Sequence, residues 1–141
     1  MSLFEKRAPV VLRALSALPE TFAGDDALTG ASVDNESMVT LAIDYGEGTG
    51  GEGVEVLPEV VFQGDAADEW RPASSTLDSG TPADGYLPST LYGATYLATG
   101  PRLVDVKVLG ASKIRVRCRE LGTITVPGEC RVRMVASRAG S

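Results

Sequence analysis

From Ser37 onward the apolar side chains alternate with polar ones at a period of two, in runs separated by Gly, Pro, Asp and Ser. A period of two is that of a strand with one face in a core and the other in water, so this stretch reads as half-buried strands. The runs predict strands over 38–45, 54–63, 90–98, 102–109, 113–121 and 129–137. Six strands without an intervening helix imply an all-β fold, an antiparallel β-sandwich of jelly-roll-like character. A chain of 141 residues suits one domain, and the sandwich is assigned to residues 37–141.

The first 36 residues read differently. Ala8, Val11, Leu12, Leu15 and Leu18 recur at spacings of three and four between Pro9 and Pro19, which predicts a short helix over 7–18. Residues 19–36 hold five acids among turn-forming residues, so residues 1–36 are expected to form an N-terminal arm loosely tied to the sandwich. The polar segment 64–89 contains Trp70 and Tyr86, which favours an ordered crossover.

The last two strands carry the clearest regularity. Placing Cys118 opposite Cys130 in an antiparallel hairpin sets Ile114 against Met134 and Val116 against Val132, with every apolar residue on one face. The other face then opposes Arg115 to Arg133 and Arg117 to Arg131, with Arg119 extending the row, an arrangement that demands acidic compensation. Residues 1–101 hold 4 basic against 16 acidic residues, net -12, and residues 102–141 hold 9 against 3, net +6. Glu55, Glu59 and Asp44 stand at outward positions. They are expected to balance the Arg row within one sheet, or from another subunit.

Several chemistries lose a required part. The chain has no His, which removes the commonest general base, triad partner and zinc ligand. No G-x-S-x-G nucleophile elbow occurs, no carboxylate pair stands apart from the 19 acids, and the expectation is a non-enzyme. A net charge of -6 argues against nucleic acid or an anionic membrane as the main partner. The charged N-terminus does not read as a signal peptide, and no apolar run is long enough to span a bilayer.

Gly46–Gly53 contains G-x-G-x-x-G after a strand, but a strand rather than a helix follows, so it reads as a hairpin loop. Leu18-Pro19-Glu20-Thr21-Phe22 is a chance likeness to a sortase signal, and Asn35-Glu36-Ser37 is a sequon of no consequence outside a secretory pathway. Asp25, Asp26 and Asp34, or Asp65, Asp68 and Glu69, lack the spacing of a calcium loop. No metal or other cofactor is expected. Cys118 and Cys130 are expected as buried thiols, with a cross-strand disulfide on oxidation as the alternative. Trp70, Tyr86, Tyr92 and Tyr96 could form a stacking platform for a carbohydrate.

The closing strands Ile114–Leu121 and Thr125–Val135, the earlier Leu-Ala-Ile-Asp-Tyr-Gly strand with its Gly-rich loop, and a strand ending shortly before Trp70 resemble the layout of small all-β virion proteins of tailed bacteriophages. The resemblance covers residues 38–137 and implies no catalytic residue. It implies a structural role in the virion, as a capsid decoration or cement protein or a head-tail accessory component, assembled in the host cytoplasm. The implied partners are further copies of the chain, with a homotrimer favoured, and other virion proteins such as the major capsid protein. Leu3, Phe4, Val10, Val11, Leu12 and Leu15 are then expected to pack on another subunit. Arg115, Arg117, Arg119, Arg131 and Arg133 are expected to meet acids across an interface. The competing expectation is a carbohydrate- or receptor-binding module.

Overall fold

The computed structural model describes residues 4–6, 8–73, 95–97 and 100–139; the side chains of 4–6, 95–97, 100–102, 138 and 139 are not described. Ten strands and one 3-10 turn, Phe22–Asp25, occur among these residues. The strands are β1 Phe4–Lys6, β2 Val10–Ala17, β3 Ala31–Ser32, β4 Met38–Gly46 and β5 Thr49–Phe62. They continue as β6 Trp70–Pro72, β7 Thr95–Leu97, β8 Gly100–Lys107, β9 Ala111–Val126 and β10 Glu129–Ala139.

Two five-stranded antiparallel sheets face each other, the sandwich that the alternation implied. In the first, β10 lies between β4 and the two short N-terminal strands β1 and β2, and β8 completes the far side. In the second, β9 and β5 form the centre, β3 flanks β9, and β6 and β7 flank β5. Leu41, Ile43, Val104, Val132, Ile114 and Val116 meet between them with 1% exposure or less. Each buried aliphatic side chain of this kind contributes roughly 1.5–3 kcal/mol.

The expected hairpin of the last two strands does not exist. β9 pairs with β5 and β3, whereas β10 pairs with β4, β1 and β2, so Cys118 and Cys130 face each other from opposite sheets. Ile114 opposes Ala31 and Val60, and Met134 opposes Leu41 and Val10. The alternation misleads because a strand facing a core from above and one facing it from below have the same pattern. The chain crosses between the sheets twice at one corner, at Glu47-Gly48 and at Pro127-Gly128. A Cβ on Gly48 would lie 2.0 Å from Val126 O, and one on Gly128 would lie 2.5 Å from Gly46 O. The two crossings touch backbone to backbone, which is why glycine stands at both. The Gly-rich stretch is therefore no hairpin loop, since most of it is strand paired with β9 through Thr49↔Val126, Gly51↔Gly122 and Gly53↔Leu121.

Residues 7–18 are not helical either. β2 runs antiparallel to β10 with register shifts between Val132↔Arg13 and Arg133↔Val11, so Leu12 and Arg13 are buried in succession. A bulge breaks the period of two and leaves apolar spacings that imitate a helix. The following segment is not a loose arm. Pro19 O accepts Glu120 N–H at 2.8 Å, an Asp25 oxygen accepts Cys118 N–H at 2.9 Å, Ala31 pairs with Ile114, and Ser112 O accepts Val33 N–H at 3.0 Å. Residues 19–33 thus occupy the edge of β9 that β5 leaves open.

Candidate functional site

The outer face of the second sheet follows from register. β5 places Glu55, Leu57 and Glu59 opposite Arg119, Arg117 and Arg115 of β9. Arg115 Nε donates to Glu59 Oε1 at 3.0 Å, and Arg117 donates to both oxygens of Glu59 at 2.7 and 3.0 Å. Arg117 also reaches Asp26 at 2.7 Å, and Arg119 pairs with Glu55. Burial draws the Arg117 guanidinium down, but Glu59 and Asp26 outweigh it and hold its pKa above the usual value.

Aromatic rings fill the gaps in this row. Phe22 packs on Leu57 and lies under the guanidinium groups of Arg117 and Arg119, at 5.8 and 5.0 Å. Trp70 lies under Arg115 at 4.5 Å and Lys113 at 5.1 Å. Each such stack contributes about 0.5–1 kcal/mol at a partly exposed site. Trp70 therefore serves two cations of its own chain. Tyr86 and Tyr92 lie outside the described residues, and Tyr96 is described only as backbone, opposite Glu55.

The outer face of the first sheet is composed differently. Val11, Arg133, Ala42 and Leu103 stand in one register row across β2, β10, β4 and β8. Arg131 lies beside Asp44 in the next row, and both Arg131 and Arg133 donate to Asp44 Oδ2, at 2.9 and 3.2 Å. Asp44 is the acid this face was expected to supply. Around these charges Val11 is 57% exposed, Leu15 60% and Leu103 64%. A shallow depression among Pro9, Thr40, Ala42, Leu103 and Val135 continues the apolar strip.

Between the sheets, Arg13 is buried. Its Nε and Nη2 donate to the two oxygens of Asp25 at 2.9 and 3.3 Å, Nη1 donates to Cys130 O at 2.6 Å, and Nη2 to Ala17 O at 3.0 Å. Burial lowers the Arg13 pKa, and the bond to Asp25 more than restores it. Next to this clasp the Cys118 thiol has its pKa pushed up by contact with Cys130 and by burial. Both cysteines are free.

The sequence-derived residues thus separate into two surfaces and the interior. Val10, Val11 and Leu15 are exposed, whereas Leu12 fills the core at 6% exposure and is not available to another subunit. Leu3 lies outside the described residues, and of Phe4 only the backbone pairing with Ala139 is described. The five arginines lie on two opposite outer faces rather than in one row, each paired within the chain. The acids considered for calcium are dispersed among partners: Asp25 on Arg13, Asp26 on Arg117, Asp34 on Gln63 and Asp65 on Arg71. Among the described residues no group of His, Cys, Asp or Glu could hold a metal ion, and no helix could cross a membrane. Sequence reasoning missed Leu103, Phe22 and the Arg13–Asp25 clasp. The one signal for the clasp is a lone charge inside the apolar run 10–18.

No protein-family model matches the chain, and no curated protein matches it in sequence. A solved structure does resemble it: the SPBc2 prophage-derived protein YomS, with a TM-score of 0.60 at 13% identity over 97% of this chain and 96% of that one. That likeness establishes the shared fold along nearly the whole length of both chains.

Proposed function

We propose that the chain is a non-enzymatic structural protein of a tailed-bacteriophage virion. In this reading it is a capsid decoration, cement or head-tail accessory component, assembled in the host cytoplasm and acting through subunit contacts. The observation that carries it is the exposed apolar strip of Val11, Leu15 and Leu103 on one sheet face, where solvent exposure of large aliphatic groups gives the monomer nothing and a partner surface would bury them. Two features support it: the fold shared with a prophage-derived protein, and the two arginines beside the strip, which supply polar contacts at its rim.

A homotrimer is the assembly favoured, with the major capsid protein as a further partner. Light scattering of the purified chain should give about three times 14.7 kDa, and Val11→Glu combined with Leu103→Glu should return it to one copy that keeps the far-ultraviolet circular dichroism of the unmodified chain and melts lower by the loss of assembly. A monomer at all concentrations, with unmodified chain failing to co-sediment with phage heads, would overturn the reading. The carbohydrate-binding alternative needs an open Trp70 ring, and Arg115 and Lys113 already stack on it.

A further inference from the structure

We propose that Cys118 and Cys130 are an oxidisable pair that closes into a disulfide between the two sheets. Three relations place the two residues together. First, the sheets converge at the corner where β9 crosses to β10: Glu120 Oε1 accepts Gly128 N–H at 2.7 Å, and Cys118 and Cys130 each stand two positions farther from that corner. Second, both side chains point inward with no exposure, one from each sheet. Third, one ion pair links their backbones, since Asp25 Oδ2 accepts Cys118 N–H at 2.9 Å and Arg13 Nη1 donates to Cys130 O at 2.6 Å. The elevated Cys118 pKa has contact with Cys130 as its largest cause, which is the same proximity seen from the thiol.

The oxidant required is a small disulfide such as oxidised glutathione. One cysteine thiolate attacks it, giving a protein–glutathione mixed disulfide and one glutathione thiol. The second cysteine then attacks the protein sulfur of that mixed disulfide and releases the other glutathione. Two S–H bonds break, one S–S bond forms, and the oxidant takes up two electrons and two protons. Burial makes the reaction slow, because the Arg13–Asp25 clasp must open before a tripeptide can enter.

The test uses the full chain, first reduced and then equilibrated with oxidised glutathione in sub-denaturing urea. The intact mass should fall by two hydrogens with no glutathione retained, and the thiol count in guanidinium should fall from two to none. The melting temperature should rise by roughly 10 °C, the scale for a cross-link closing a loop of this length, and return with dithiothreitol. Cys118→Ala and Cys130→Ala should each show no such rise. Two surviving thiols, glutathione adducts without loss of two hydrogens, disulfide-linked dimers, or a cross-linked chain that melts lower would each overturn the proposal.

Discussion

Tyr45 donates its hydroxyl hydrogen to Glu120 Oε2 at 2.7 Å, joining β4 of one sheet to β9 of the other beside the double crossing. Both residues are buried, at 4% and 2% exposure. The other oxygen of Glu120 accepts Gly128 N–H, so one carboxylate holds both the facing sheet and the turn between the sheets. Burial first, and then the bond to Glu120, raise the Tyr45 pKa.

That elevation sets a direction for alkaline stability. In the unfolded chain tyrosine ionises near pH 10, roughly, whereas folded Tyr45 keeps its proton to higher pH. Its contribution is thus complete below the unfolded value and is lost as pH rises past it. The urea midpoint of the unmodified chain should exceed that of Tyr45→Phe at pH 7, and the gap should close as pH rises beyond about 10. A gap that is constant with pH would show that Tyr45 titrates like a free tyrosine.

Arg13→Met leaves the Asp25 carboxylate buried and short of its cation. The expected loss is about 3–5 kcal/mol in urea unfolding, the range for removing one partner of a buried pair. A loss below about 1 kcal/mol would mean that water reaches the clasp, as in a surface ion pair.

The corner separates two glycines of similar sequence context. A Cβ on Gly128 meets Glu120 Oε2 and Gly46 O, both at 2.5 Å, whereas one on Gly46 meets nothing within 4 Å. Gly128→Ala should cost several kcal/mol through overpacking, of order 1–3 or more, and Gly46→Ala should melt like the unmodified chain. Equal melting of the two variants would place the crossing strands farther apart than described.

Glu59 is the shared acceptor of Arg115 and Arg117 on a half-buried face, and Arg71 pairs with Asp65 while 61% exposed. Glu59→Gln should destabilise by about 2–4 kcal/mol and keep that penalty in 1 M salt, where the Debye length is about 3 Å. Arg71→Gln should change stability by less than about 0.5 kcal/mol. A Glu59→Gln penalty that vanishes in salt would show a solvated pair.

The sandwich was legible because period two survives in four long strands, β4, β8, β9 and β10, and the pairing of Glu55, Glu59 and Asp44 with arginines was legible from outward parity and the separation of charge along the chain. The partition of strands between sheets was not. β9 and β10 both alternate, and what distinguishes a crossing from a hairpin is their partners, β5 and β3 for one and β4, β1 and β2 for the other, which alternation does not encode. β2 was misread because two consecutive inward residues, Leu12 and Arg13, destroy the alternation. The apolar strip was half legible: Val11 and Leu15 were singled out, but Leu103 joins them only through the pairing of β8 with β4.

The place of β10 constrains how the protein comes into being. This strand lies at the centre of its sheet, between β4 and the N-terminal strands, so neither β1 nor β2 has its partner until β10 is in place. Pairs such as Ser16 with Cys130 join residues far apart along the chain, a topology of high contact order that folds slowly. Completion of the first sheet therefore waits on this long-range pairing, and until it is made β2 presents an unpaired strand, with Val11 and Leu15 on it, to any neighbour.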